Sequence, residues 1–139
     1  LLAPVVERDE WGDELRTLFP ALWAPTPTHA SFLQYAHNQR KKMLDRKDGR
    51  PEKYAAAYIR VLYNLCELLE HGTFAVRIID TPMGDKVARL KRGEFRFGET
   101  IDVGESLEEQ AAVHLAHCRH QPDLSRVNDY LLRVRKNFL

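Results

Sequence analysis

Hydrophobic residues recur every three or four positions along most of this chain, and the spacing is clearest from Lys53 to Gly72. That segment reads KYAAAYIRVLYNLCELLEHG. Its apolar residues form one stripe, which predicts a helix with a buried face. The stripe consists of Ala55, Tyr58, Ile59, Leu62, Leu65, Cys66 and Leu69. Pro51 suits the first turn of this helix and Gly72 suits its end, so both boundaries are predicted as well.

Two further helices are predicted before this segment. An acidic amphipathic stretch, ERDEWGDELRTLF, is expected to stop at Pro20. After the connector APTPT, Thr28 can cap a helix that runs to about Arg46. One side of that helix carries Phe32, Tyr35, Ala36, Gln39 and Met43.

Three more helices are predicted in the C-terminal half. Asp80 or Thr81 can cap a short helix that ends at Gly93. Ser106 and Glu109 have the spacing of a capping box, which predicts a helix start at Ser106. A last helix follows QPD, with an apolar seam of Leu124, Val127, Leu131, Val134 and Phe138.

These elements predict a mainly α fold, a helical bundle of about five to six helices. The segment TFAVRII has β-branched residues and alternation, so at most a short extended or β segment is expected near 73–79. Residues 1–27 are interpreted as an N-terminal helical segment and connector. Residues 28–139 are interpreted as one compact helical domain.

The charge balance gives the chain no global preference for nucleic acid, because 21 Lys and Arg face 20 Asp and Glu. No apolar run approaches the length of a bilayer-spanning helix, so no membrane partner is expected. Two cysteines do not make a disulfide framework, and a reducing, cytoplasmic setting fits them best. The chain opens LLAPVVERDE without a methionine, which leads us to expect a piece of a longer polypeptide.

A second stripe runs along the 53–72 helix opposite the apolar one. It contains Lys53, Ala57, Arg60, Asn64 and Glu67, and the small alanines leave room between two long cations. One reading is a solvated surface, on which Lys53 and Arg60 pair with nearby glutamates. The other reading is the wall of a binding site.

A cluster of cations lies at the junction of two helices. It contains Arg40, Lys41, Lys42, Arg46, Lys47 and Arg50, offset by Asp45 and Asp48. Phosphate is the natural ligand of such a cluster. The alternative is a solvated helix end, where cations also complement the helix dipole.

Metal and catalytic signals are weaker. His114, His117 and Cys118 have a spacing that can hold zinc, but a second pair of ligands is missing, and a partly buried histidine-rich turn explains them as well. No nucleophile elbow, P-loop, metalloprotease or dinucleotide-binding motif occurs. We therefore assign no catalytic residue and no metal ligand in this chain.

The order of segments resembles the C-terminal helical half of the predicted nucleotidyltransferases of the DNA polymerase beta superfamily, in the branch associated with RNA repair. The resemblance runs from about Ser31 to the end. It rests on Lys53 and Arg60 in a helix ending E-L-L-x-x-G, on the K-R-G-E turn from Lys91, and on the closing P-D and V-N-x-x-L-L-x-x-R.

The resemblance implies a helical domain that closes a cleft over nucleotide or acceptor. The full enzyme would use Mg²⁺ and a nucleoside triphosphate, held by a Gly-Ser turn and an Asp-x-Asp pair in an N-terminal catalytic domain of the same polypeptide. Neither motif occurs in these 139 residues. Relatives often carry histidines near the lysine, whereas this chain has Tyr54 and Ala57 there, which puts proton transfer by such histidines in doubt.

On this reading, Lys53 and Arg60 face the phosphates, because nucleotidyl transfer needs cations that neutralise the leaving pyrophosphate. Tyr63 or Tyr54 can stack on a base. Arg40, Lys41 and Lys42 can follow an RNA backbone, which makes RNA a possible partner. The alternative function is a freestanding helical module that binds nucleic acid or a protein partner.

Overall fold

The computed structural model describes residues 10–45, 47, 49–73, 77, 80–94 and 96–138. Within these residues the chain forms seven helices and no strand. The helices are α1 (Glu10–Thr17), α2 (Phe19–Leu22), α3 (Pro25–Leu44), α4 (Pro51–His71), α5 (Gly84–Lys91), α6 (Phe97–His117) and α7 (Leu124–Phe138). The predicted mainly α fold class is therefore confirmed. The expected extended or β segment near 73–79 lies outside the described residues, except for Thr73 and Arg77.

The helices group into two compact units. One consists of Leu1–Pro25 and Arg119–Leu139, and the other of Thr26–Cys118. The first unit therefore holds α1, α2 and α7, and the second holds α4, α5, α6 and nearly all of α3. The sequence-based division into 1–27 and 28–139 differs from this grouping in where it places α7.

Helix α4 is the centre of the second unit and packs against α5 and α6. Every residue of its predicted apolar stripe is buried, and Tyr58, Ile59 and Leu62 have no exposed surface at all. Val87 of α5 and Leu107 of α6 are buried as well. Helix α4 begins at Pro51 and stops at Gly72, whose φ of 81° is a left-handed conformation that favours glycine. The prediction for α4 is confirmed in its face and its boundaries.

The predicted start of α6 at Ser106 is wrong, because the helix begins nine residues earlier at Phe97. Ser106 lies within the helix, where its hydroxyl accepts a hydrogen bond from Gln110 Nε2 at 3.2 Å. Thr100 and Gly104 are buried upstream of it, so this first part of α6 is held by packing rather than by a cap.

Helix α3 begins at Pro25, three residues before the predicted cap at Thr28. Prolines are tolerated in a first helical turn because the N–H groups there have no partner within the helix. Ala36, Gln39 and Met43 of its predicted apolar side are buried. Two polar contacts join α3 to α6: His37 Nε2 lies 2.7 Å from Glu108 Oε1, and Arg40 forms an ion pair of 3.3 Å with Glu105.

Helix α5 ends where the sequence predicts. Gly93 follows it with a φ of 79°, and Arg92 forms two hydrogen bonds with Glu94, of 3.2 and 3.3 Å, across that glycine. These bonds lower the pKa of the Glu94 carboxyl. The helix starts at Gly84, after a turn in which the Thr81 hydroxyl accepts a hydrogen bond from the Met83 N–H.

In the first unit, α7 packs against α2, and its Tyr130 hydroxyl donates a hydrogen bond of 2.9 Å to the Trp11 carbonyl. Tyr130 is buried, but the predicted apolar seam of α7 is largely exposed: Leu124, Leu131 and Phe138 are all more than half accessible. Of the helices described, none combines the length and apolar character needed to traverse a lipid bilayer.

Candidate functional site

A groove of about 670 Å³ lies beside α4, within the second unit. Its walls come from α3, from Arg50 just before α4, from α4 and from Lys91 at the end of α5. It is lined by Phe32, Tyr35, Arg50, Glu52, Lys53, Ala56, Ala57, Arg60, Val61, Asn64 and Lys91. The volume falls within the range of about 300 to 1,000 Å³ that is typical of small-molecule sites.

The second stripe of α4 forms one wall of this groove. Lys53, Arg60 and Asn64 line it at positions i, i+7 and i+11, which return to the same side of a helix. The rise of a helix separates Lys53 from Arg60 by about 10 Å along its axis. The structure therefore places the two cations singled out in the sequence at the same groove.

The alanines of α4 explain why space remains between those cations. Ala56 is buried and Ala57 is half-buried, and both line the groove. A side chain that ends at Cβ leaves the volume open, whereas a longer one at either position would project into it. The groove therefore depends on small residues at these two positions.

The charge around the groove is strongly biased towards cations. Arg50, Lys53, Arg60 and Lys91 line it together with a single carboxylate, that of Glu52. Within the described part of the chain, neither Lys53 nor Lys91 forms an ion pair. Convergent cations with few acids match the charge and the acceptor oxygens of phosphate groups.

Aromatic and amide groups complete the lining. Phe32 is half-buried on α3, and Tyr35, also on α3, is 51% exposed. Asn64 is only 8% exposed, and its Oδ1 atom is buried with no hydrogen-bond partner among the described residues. The lining of the groove thus combines cations, aromatic rings and the side chain of Asn64, whose Oδ1 atom is closed to solvent.

The other predicted binding residues do not line this groove. Tyr54 is half-buried, and its ring centre lies 5.7 Å from Lys42 Nζ and 5.8 Å from Lys53 Nζ. Lys41 is exposed near the end of α3. Arg40 pairs with Glu105. Their proposed contacts with nucleotide or RNA stay predictions.

Tyr63, the remaining predicted stacking residue, is half-buried on α4 but outside the groove lining. Burial, and then the charge of Glu67, raise the pKa of its phenol.

Several lining residues, among them Phe32, Tyr35, Arg50 and Lys91, were not predicted as parts of one site. Lys91 and Arg50 stood out in the sequence only as members of the K-R-G-E turn and of the cation cluster. Phe32 and Tyr35 were assigned to the apolar side of α3, and that side is divided between the core and the groove. No spacing rule links residues 32, 50, 60 and 91, because tertiary packing alone brings them together.

The histidines near the end of α6 do not form a zinc site with Cys118. His117 Nδ1 lies 2.9 Å from the Val113 carbonyl oxygen, and His114 Nε2 lies 3.4 Å from Glu70 Oε2. In the described ranges, the only three candidate ligands whose atoms lie within 4.8 Å of one another are those of Glu67, Glu70 and His71. The structure thus favours the reading of a histidine-rich turn.

No protein-family model, curated protein or solved structure matches this chain.

Proposed function

We propose that the groove beside α4 binds the phosphate groups of a nucleotide. On this proposal the chain is the helical C-terminal domain of a Mg²⁺-dependent nucleotidyltransferase and closes a cleft over nucleotide or acceptor. The observation that carries the proposal is the convergence of Lys53, Arg60, Arg50 and Lys91 on one groove with a small-residue wall. The resemblance of the sequence to that superfamily also supports it.

The lining of the groove suits a triphosphate and does not suit a magnesium ion. Mg²⁺ prefers oxygen ligands, usually one or two carboxylates with phosphate oxygens, and the single carboxylate of Glu52 stands among four cations. On this proposal, metal binding and the chemical step belong to an N-terminal catalytic domain of the same polypeptide. Lys53 and Arg60 orient the phosphates and offset their negative charge.

Equilibrium binding to the 139-residue chain tests this proposal. Tripolyphosphate and ATP are titrated into the wild type, Lys53→Ala, Arg60→Ala and the double variant at low and physiological salt. Each single variant is expected to weaken both ligands about tenfold or more, since a cation that contacts phosphate supplies a charge-assisted hydrogen bond. Lys86→Ala is the matched control, because Lys86 is exposed on α5 and does not line the groove.

Unchanged affinity in the double variant would contradict the proposal. A loss of affinity in Lys86→Ala as large as that in the groove variants would contradict it as well. The proposal also predicts that the isolated chain transfers no nucleotide. Transfer activity in a purified preparation of the 139-residue chain would contradict it.

A second candidate function is supported by the exposed end of α3. The Tyr54 ring lies near two ammonium groups, those of Lys42 and Lys53, and such a cation-flanked ring suits a single-stranded RNA base with its phosphates. A freestanding RNA-binding module would lose affinity in Lys41→Ala and Lys42→Ala. It would also show a steep dependence of affinity on salt.

A further inference from the structure

The C-terminal end of α4 packs beside α6, and the two helices bring two carboxylates and two imidazoles together. Glu70 Oε2 lies 3.5 Å from His71 Nε2 and 3.4 Å from His114 Nε2, so one carboxylate oxygen contacts imidazoles from two different helices. Glu67 Oε2 lies 4.0 Å from His71 Nε2. All four side chains are partly open to solvent, and none of them lines the groove beside α4.

Both carboxylates lie near the end of α4 that favours cations. Glu70 is in the last turn of the helix and Glu67 is one turn before it, where the helix dipole presents its partial negative charge. Among the described residues, the two glutamates form ion-pair contacts with histidines and with no lysine or arginine. A bound cation offsets the charge of both carboxylates and of the helix end.

The spacing of these ligand atoms is close to that of a tetrahedral zinc site. Bonds of about 2.0 to 2.2 Å from zinc to nitrogen and oxygen place the ligand atoms about 3.3 to 3.6 Å apart. The two distances from Glu70 Oε2, 3.5 and 3.4 Å, fall within this range. The distance of 4.0 Å from Glu67 to His71 is slightly longer, and a small rotation of the partly exposed Glu67 side chain shortens it.

We propose that Glu67, Glu70, His71 and His114 together bind one divalent transition-metal ion, with Zn²⁺ as the best fit, and that this ion ties the end of α4 to α6. Imidazole and carboxylate together suit zinc, whereas Mg²⁺ and Ca²⁺ take oxygen ligands. Four protein ligands leave no open position on the ion, so the site is structural rather than catalytic. The inference does not depend on nucleotide binding in the groove.

This site differs from the zinc reading of the sequence, which grouped His114 with His117 and Cys118. His117 Nδ1 lies 2.9 Å from the Val113 carbonyl oxygen, and Cys118 follows the end of α6 with an extended backbone. His117→Ala and Cys118→Ala are therefore matched controls that separate the two groupings.

Calorimetric titration of Zn²⁺ into the tag-free chain, after removal of metal with EDTA and desalting, tests the site. The wild type is expected to bind one ion per chain. His71→Ala, His114→Ala and Glu70→Gln are each expected to weaken binding about tenfold or more, since each removes one ligand. His117→Ala and Cys118→Ala are expected to bind Zn²⁺ as the wild type does.

Thermal unfolding tests the link between the two helices. Zn²⁺ is expected to raise the thermal midpoint of the wild type, because an ion that binds only the folded chain stabilises it. His114→Ala is expected to lose this rise. Glu70→Gln is expected to lose most of it as well, and because glutamine keeps the size of the side chain, that loss does not come from altered packing.

Three results would overturn the inference. In the first, the wild type binds no Zn²⁺; in the second, it binds Zn²⁺ with an affinity that His71→Ala, His114→Ala and Glu70→Gln all leave unchanged. In the third, His117→Ala or Cys118→Ala loses as much affinity as His114→Ala, which assigns the ion to the end of α6 alone. Phosphate binding in the groove is measured separately, so its failure is distinguishable from each of these results.

Discussion

The Tyr58 ring of α4 lies directly against Gly104 of α6, and a Cβ atom added at Gly104 would overlap the ring. Tyr58 is fully buried, so a shift of its ring would disturb close-packed neighbours. Gly104 therefore lets the Tyr58 ring of α4 pack directly against the backbone of α6. A glycine that weakens an isolated helix is here a requirement of packing.

Gly104→Ala is predicted to destabilise the chain. The methyl group forces the Tyr58 ring or α6 to shift, which costs about 1 to 3 kcal/mol and outweighs the helix propensity of alanine. Urea unfolding followed by circular dichroism measures the change in the free energy of unfolding. Gly98→Ala in the same helix is the control, because nothing lies within 4 Å of its added Cβ. Equal stability of the two variants would refute the close contact.

Ala57→Leu is predicted to abolish phosphate binding while the fold persists. The longer side chain fills the space between Lys53 and Arg60, yet leucine is nearly as good a helix former as alanine. We expect the affinity for tripolyphosphate to fall more than tenfold, with unfolding free energy within about 0.5 kcal/mol of the wild type. Ala112→Leu, at an exposed position of α6, is expected to bind normally. Normal binding by Ala57→Leu would show that the ligand does not occupy the groove.

Tyr130→Phe is predicted to weaken the first unit modestly. The substitution removes the hydrogen bond to the Trp11 carbonyl and leaves the aromatic packing in place. The expected loss of unfolding free energy is about 0.5 to 1.5 kcal/mol, the usual net value of one such bond. Tyr35→Phe is a control at a half-exposed tyrosine. A change of the same size there would indicate a general effect of losing a hydroxyl.

Ionisation of the Cys66 thiol is predicted to lower the stability of the folded chain at alkaline pH. Burial, with the charges of Glu67 and Glu70, raises the pKa of this thiol from 9.0 to about 11. The thiol also donates a hydrogen bond of 3.2 Å to the Leu107 carbonyl, which the thiolate cannot do. The unfolded chain therefore loses its proton first, so stability is highest below pH 9 and decreases as pH rises towards 11.

Urea midpoints at pH 8, 9, 10 and 11 check this prediction, with Cys66→Ala as the reference. The wild type is expected to lose more stability than Cys66→Ala over that window. Parallel curves for the two proteins would show that Cys66 does not contribute to the pH dependence.

The sequence predicts α4 fully because every signal in it agrees. The apolar period, Pro51 at its start and Gly72 at its end all specify the same helix. The start of α6 is missed for the opposite reason, since Ser106 and Glu109 give a local capping signal that tertiary packing overrides. Gly104 has a low helix propensity, but it lies within α6 because the Tyr58 ring leaves no room for a Cβ atom there.

The site is predictable only where it lies on one helix. The sequence predicts that Lys53 and Arg60 share one side of α4, because residues seven positions apart return to the same side of a helix. Lys91 and Tyr35 come from other helices, and their meeting with α4 depends on packing that no local pattern encodes. The unsatisfied state of Asn64 Oδ1 is visible only once its neighbours are known.

The location of phosphate binding is tested most directly by nuclear magnetic resonance. The uniformly ¹⁵N-labelled chain is titrated with tripolyphosphate, and the perturbed backbone amides are mapped. We expect the largest shifts at Lys53, Ala57 and Arg60, with further shifts near Tyr35 and Lys91. Shifts confined to Lys41, Lys42 and Lys47, or no shifts at all, would contradict the assignment of the groove as the phosphate site.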